Sequence, residues 1–210
     1  MIDKQALHSL DKRQRVALVN SLPGFKPVVL VGTVNEDGRT NLCVINSCFH
    51  VGADPALMGM IIRPAPEGTE RHTLENIVAT EMLSVNAVTR DMAQRAHYTS
   101  ARFARDQSEF EVCGFAEQWH EGFTAPFVLE SPLQLGLKLA EQRPLTINGT
   151  HLIIGSVEQI HLSDHARRDD GSLDLQSMDI VAGVGLDAYH TVNTGQRFSY
   201  AKPNKPPELI

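Results

Sequence analysis

Three short stretches of this chain carry side chains whose type and spacing could do chemistry. In Arg71-His72-Thr73-Leu74-Glu75-Asn76-Ile77, a threonine stands where an apolar helical pattern begins, two positions after an arginine. A hydroxyl beside the unpaired N–H groups of a helix start, joined by a guanidinium fork, suits a phosphate, which takes several donors at once. The same residues also make a capped helix with an exposed arginine, and the segment alone does not choose. The second stretch is Asn46-Ser47-Cys48-Phe49-His50. Small polar side chains there would leave room for a planar ligand and expose backbone N–H groups, or they would simply form a barrel rim. Arg63, between Ile62 and Pro64, is either a surface charge or a second phosphate ligand. The third stretch, His97-Tyr98-Thr99-Ser100-Ala101-Arg102 followed by Ser108-Glu109-Phe110, mixes hydroxyls, an imidazole and a guanidinium. It reads as a functional loop or as a capped surface helix.

Other chemistries lack their residues. Nine histidines include no HExxH pair, and His161 and His165 have no cysteine near them. Asp164, Asp169, Asp170 and Asp174 miss the spacing of a calcium loop, so no metal site is expected. No GxSxG elbow is present, and no GxGxxG follows the first apolar strand. Cys43, Cys48 and Cys113 are odd in number and lack CxxC spacing, which favours reduced thiols. A net charge of −6 without a Lys/Arg block argues against an extended nucleic-acid surface, though a local basic pocket is compatible with it. The N-terminus has no signal-peptide core, and no apolar run approaches the ~18–20 residues of a membrane span. A cytoplasmic protein with no membrane contact is the expectation.

The elements that must position these groups follow from periodicity. Residues 11–22 carry Val16, Leu18, Val19 and Leu22 among basic residues and predict a short helix lying on a core, closed by Pro23-Gly24. Val28 to Val34, the turn Asn35-Glu36-Asp37-Gly38 and Thr40 to Phe49 predict a β-hairpin. Leu57 to Arg63 is a third strand, residues 73–78 are helical, Met82 to Val88 is a strand, and Asp91 could cap a helix through Ala96. Leu133, Leu135, Leu137 and Leu139 alternate with Gln134, Gly136 and Lys138, which predicts a strand with one wet face. Asn148-Gly149 turns it into a strand over 152–162. The proline-rich residues 201–210 should run extended. Strands joined by hairpins without regular helical crossovers favour an antiparallel barrel.

Taken in order, these stretches resemble the FMN-binding split-barrel flavin reductases and the related flavoredoxins. The matching segments are KPVVLVGTVNEDGRTNLCVINSCFHVGADPALMGMIIRP, RHTLENI, AHYTSARF and SEFE, then APFVLESPLQL, NGTHLIIGSV and GLDAYHTV. The resemblance implies a mainly β fold, a six-stranded Greek-key split barrel spanning residues 1–210. Residues 1–25 would then be a helical extension and 201–210 an extended tail. It implies a homodimer with FMN at the rim, and NADH or NADPH as hydride donor. Asn46, Ser47 and Cys48 would line the flavin ring. Arg63, Arg71, His72, Thr73 and Asn76 would meet the phosphate and ribityl chain, and Thr99, Ser100 and Ala101 would close over the flavin. A monooxygenase or another acceptor could take the electrons. The other reading is an FMN-binding electron carrier that a protein partner reduces. Wording such as RHTLENI and NSCFH favours these over pyridoxamine-phosphate oxidation or haem binding on the same fold.

Overall fold

The computed structural model describes residues 1–66, 69–163, 166–193 and 195–210. Asp164 and His165 lie outside the described residues. The chain opens with two helices, α1 (Lys4–Ser9) and α2 (Lys12–Ser21), capped by the carboxylates of Asp3 and Asp11. Both are short of burial: Val16, Val19 and Leu22 are exposed, so α2 does not lie on a core as its pattern suggested. Its apolar residues are too few to form a continuous stripe.

The body is a seven-stranded antiparallel sheet in the order β3-β2-β6-β9-β10-β5-β4. The strands are β2 (Val29–Val34), β3 (Thr40–Ile45), β4 (Phe49–Ala53), β5 (Ala56–Ile62), β6 (Met82–Ala87), β9 (Leu133–Leu145) and β10 (Thr150–Leu162). Its seven strands are one more than expected, because the turn at Asp54-Pro55 lets residues 49–53 fold back on β5 as a separate strand. The sheet cannot be flat. Six gaps of about 4.8 Å would hold its edges about 29 Å apart, yet the edge strands β3 and β4 are joined only by Asn46, Ser47 and Cys48. Four residue steps reach about 14 Å at most. The sheet therefore curls until its edges approach each other at the link, and register shifts in the β9–β10 ladder at Ile154/Gly155 and Val157/Gln159 assist the bend.

Curling creates an inside. Val29 and Val31 of β2 join Met60 and Ile62 of β5, Leu83 and Val85 of β6, Leu137 and Ile153 in one buried cluster. Ile77 plugs it from α3 (His72–Thr80). Val28 and Leu30 point the other way and pack with Leu42 beneath α4 (Ala93–Tyr98) and α5 (Glu109–Val112). All of β2 is consequently buried. The outer face of β9 is covered too, by the segment carrying the short strands β7 (Glu117–Gln118) and β8 (Phe127–Val128). Gln134 is buried, donating to the Val128 carbonyl at 2.7 Å and to Gln118 Oε1 at 2.8 Å, so that face is dry at Gln134 and Gly136 and exposed only from Lys138 onward. A side chain on Gly136 would collide with Phe123.

Two further expectations fail locally. Met92, not Asp91, stands at the start of α4, and no side chain caps it. Residues 201–210 do not run extended: Lys202 pairs with Lys205 around Pro203-Asn204, and Phe198 pairs with Leu209. Rigid proline φ values favour such a reversal as readily as an extended run. The last sheet, β1-β11-β12, combines β1 (Lys26–Pro27), β11 (Val181–Val184) and β12 (Ala188–Thr191) at the mouth of the barrel.

Candidate functional site

β3 and the link that follows it form the floor of one open cleft of about 1070 Å³. The start of α3, the end of α4, α5 and the β11–β12 turn form its walls. Nine of the eleven residues anticipated from sequence line it: Asn46, Ser47, Arg63, Arg71, His72, Thr73, Thr99, Ser100 and Ala101. Two do not. The Cys48 side chain is 5% exposed and points into the barrel cluster. Asn76 is buried one turn further along α3, its amide donating to Thr33 Oγ1 at 3.1 Å.

Three of the four hydroxyls among the nine, those of Ser47, Thr73 and Thr99, are already engaged. Ser47 Oγ donates to the Ile61 carbonyl at 2.8 Å and accepts from the Ile61 N–H at 3.2 Å. It thus extends the β4–β5 ladder by one side-chain step and pins the link to β5. Thr99 Oγ1 donates to the Ala96 carbonyl and accepts from the Val44 N–H, which fastens α4 to β3. The Asn46 amide donates to the Gly185 carbonyl at 2.8 Å, which holds the β11–β12 turn over the cleft. Ser100 and Ala101 close a tight turn onto the carbonyls of His97 and Tyr98.

Thr73 is the most constrained. Glu109, 5% exposed, accepts from Asn41 Nδ2 at 2.6 Å and from the Leu42 N–H at 3.0 Å. The Asn41 amide thus turns its nitrogen to Glu109 and its oxygen to Thr73. Thr73 Oγ1 donates to that oxygen at 2.8 Å. Its proton is therefore not available to a ligand. Sequence reading found Thr73 but not Asn41, whose partners are 32 and 68 residues away.

What remains free among the described residues is the exposed Ser100 hydroxyl, cationic side chains and backbone N–H groups. At the start of α3, the N–H groups of His72 and Thr73 have no partner among the described residues. Arg71 donates one guanidinium nitrogen to the Pro64 carbonyl at 3.2 Å, while its buried Nε makes no hydrogen bond at all. A buried N–H without an acceptor costs about 1–3 kcal/mol, which an anion in the cleft would offset. At the other end, the N–H groups of Asn46, Ser47 and Cys48 also lack partners among the described residues. The two ends are five residues apart along the floor, from Asn41 to Asn46, roughly 17 Å at about 3.4 Å per residue. Arg102, Arg105, Lys26, His97 and Tyr189 add to the polar lining, as do Asn20, Glu70 and Asp187. Arg105 is paired to Glu70 and Glu75. Burial, partly offset by Thr73 and Arg71, holds the Cys43 thiol in the floor above its usual range, so it stays protonated at neutral pH.

An anion-binding end, a long floor and free N–H groups at the far end suit an elongated ligand with a phosphate at one end and a polar-edged ring at the other. The volume is at the top of the usual ~300–1,000 Å³ range for ligand sites, which leaves space for more than one molecule. Among the described residues no group of three metal-ligating side chains occurs, and no helix is long and apolar enough to cross a membrane.

Comparison with known proteins gives the same direction. The family model of the flavin reductase like domain matches residues 25–177. A split-barrel protein from Shewanella frigidimarina NCIMB 400, assigned as a flavin reductase, is 43% identical and superposes with a TM-score of 0.92, covering 96% of this chain and 99% of that one. Nitrilotriacetate monooxygenase component B from Bacillus cereus shares the fold at 18% identity and a TM-score of 0.82, covering 93% and 96% of the two chains. The flavoredoxin of Desulfovibrio vulgaris (Miyazaki F) shares it at 23% identity and a TM-score of 0.70, covering 86% and 92%.

Proposed function

Because this chain belongs to the flavin reductase like family of flavin-binding oxidoreductases, we propose that its cleft holds FMN and that the protein is an NAD(P)H-dependent flavin reductase. The observation that carries this reading is the pairing of an unsatisfied Arg71 Nε beside the free N–H groups of α3 with the free N–H groups of residues 46–48 at the far end.

The residues divide the work by what they have left to offer. Arg71, with the His72 and Thr73 N–H groups, would hold the phosphate, since an anion there meets both a guanidinium and the positive end of a helix. Thr73 and Asn76 act behind that surface, Thr73 by locking Asn41 and Asn76 by fixing Thr33. The free N–H groups of Asn46 and Ser47 would meet the ring edge, where negative charge develops on reduction. The chemistry supplied by the bound group is hydride transfer from a nicotinamide to the flavin, so no acid or base on the protein is required. Ser47, Thr99 and Asn46 keep the floor and walls rigid, which orders the ring plane for stacking.

We also propose a homodimer located in the cytoplasm. Exposed Phe49 and Val51 on edge strand β4 support the dimer, because apolar side chains on an unpaired strand favour a covering partner. An electron carrier reduced by a protein partner would use the same residues for binding, and turnover separates the two. The test is the absorbance spectrum of purified protein mixed with FMN, followed by oxidation of NADH and NADPH. A flavin band that shifts on binding, with flavin-dependent nucleotide oxidation, is expected. Absence of turnover with both nucleotides would overturn the reductase reading, and absence of FMN binding would overturn the site itself.

A further inference from the structure

Five lysine and arginine side chains line the cleft, and only Arg105 is paired with carboxylates. Lys26, Arg63, Arg71 and Arg102 make no ion pair among the described residues. In a chain of net charge −6 such an excess of cations in one cleft has to be held by the fold. Arg71 belongs to the start of α3. Lys26 and Arg63 are held elsewhere and by different means.

Both are anchored on Asn20 at the end of α2. The Asn20 side-chain oxygen accepts from Arg63 at 2.9 Å, and its backbone carbonyl accepts from Lys26 Nζ at 3.1 Å. Lys26 Nζ also donates to the Gly185 carbonyl at 3.2 Å, the same oxygen that Asn46 Nδ2 reaches at 2.8 Å. The tips of the pair are thereby fixed on the Asn20–Gly185 side of the cleft, while Arg71 approaches from the start of α3 and donates to the carbonyl of Pro64, the residue after Arg63. Every acceptor the pair uses is neutral. Asp187, on the same turn as Gly185, makes no ion pair with either cation among the described residues. Lys26 keeps one of its three N–H bonds free, and Arg63 keeps four of five. Burial and repulsion from Arg63 both lower the affinity of Lys26 for its proton, a cost that a bound anion would relieve.

We propose that Lys26 and Arg63, bracketed by Asn20, form a second anion subsite that receives the phosphate groups of the nicotinamide nucleotide, while the flavin phosphate is held at the start of α3. The proposal rests on the reading of the cleft as a flavin site. It gives the N-terminal helices a task, since Asn20 of α2 is what holds the two like charges together. It also moves Arg63 from the flavin's phosphate to that of the second ligand. A pyrophosphate fits such a pair because two adjacent anionic groups can each meet one cation.

The test uses FMN-loaded protein titrated calorimetrically with ADP-ribose, which carries the pyrophosphate but no nicotinamide to react. FMN affinity is read separately by quenching of flavin fluorescence. Arg63→Gln and Lys26→Met should each weaken ADP-ribose binding about 10-fold or more, as expected for loss of one charge-assisted contact, with FMN affinity changed less than about 2-fold. Lys26→Arg should restore most of the nucleotide affinity. Arg71→Ala should show the opposite pattern, weakening FMN and sparing ADP-ribose. Arg63 is exposed, so its variant is not at risk of misfolding. The subsite is overturned if both variants lose FMN affinity in step with Arg71→Ala, which would return the cations to the flavin phosphate. It is equally overturned if ADP-ribose affinity is unchanged, whether or not the flavin midpoint potential shifts. If the wild-type protein takes no FMN, the flavin reading fails first and is identified as the cause.

Discussion

Arg71 and Thr73 sit two residues apart, yet their removal should have different consequences. Arg71→Ala takes away a partly buried guanidinium whose Nε has no acceptor in the protein. It should weaken FMN binding by about 1.5–3 kcal/mol and leave riboflavin affinity and the melting temperature nearly unchanged, which fluorescence quenching and thermal scans would read. Thr73→Val instead removes the donor facing Asn41 Oδ1 in a site only 3% exposed. It should cost about 1–3 kcal/mol of stability by urea unfolding, with any flavin effect secondary. Glu109→Ala should cost more, about 2–4 kcal/mol, because it strands both Asn41 Nδ2 and the Leu42 N–H. At this scale the sequence named nine residues that the fold gathers in one cleft, and it could not show that the Thr73 hydroxyl is already engaged. A hydroxyl at a helix start reads as a ligand donor, and nothing local reveals that its acceptor is supplied from β3. The Glu109–Asn41–Thr73 chain joins three segments, so only the fold displays it. Cys48 was misplaced for a simpler reason: a one-residue step along the link decides whether a side chain meets the cleft or the core.

The elements were legible where their signals were local. The turns Asn35-Glu36-Asp37-Gly38 and Asn148-Gly149, the helix after Arg71 and strand β6 all stand where turn chemistry and periodicity put them. What could not be read was which second face each strand would bury. The alternation of β9 suggested a wet side, but residues 115–131 cover it at Gln134 and Gly136 and leave only Lys138 exposed, and Gln134 survives there by finding acceptors in that cover. The short strand β4 was missed because residues 49–53 have no alternation, being largely exposed. Close approaches between elements are equally silent in sequence. Gly32 lies where a methyl group would collide with the Pro126 carbonyl and with Ser84 Oγ. Both atoms belong to buried, hydrogen-bonded groups, since Ser84 donates to that carbonyl. Gly32→Ala should therefore force β2 away from β6 and lower stability by several kcal/mol, on the order of 3 or more. Loss of the cooperative urea transition, or insoluble protein, would bear this out, and a wild-type transition would refute it.

For the molecule as a whole, the barrel core sets a limit on alkaline stability. Burial raises the Cys48 thiol from 9.0 to about 11. The folded state keeps the proton that the unfolded state releases above pH 9, so this contribution is complete below pH 9 and is lost as pH rises toward 11. Over that window it amounts to up to about 2.7 kcal/mol. Melting temperature should fall between pH 9 and 11 in the wild type and fall less steeply in Cys48→Ala, whose stability at pH 7 is lower through the cavity it leaves. The native thiol should also resist alkylation at pH 8. The three-residue link between β3 and β4 carries a different consequence, one of motion. It is the latch of the barrel, and the Ile61 amide is held there by a hydroxyl in place of a backbone carbonyl. A latch closed by one side chain should open more often than the long β9–β10 ladder. Any ligand resting on the link would act as a bolt, so amide exchange at Ile61 and Val44 should slow on FMN addition well before that of Leu152 or Ile153.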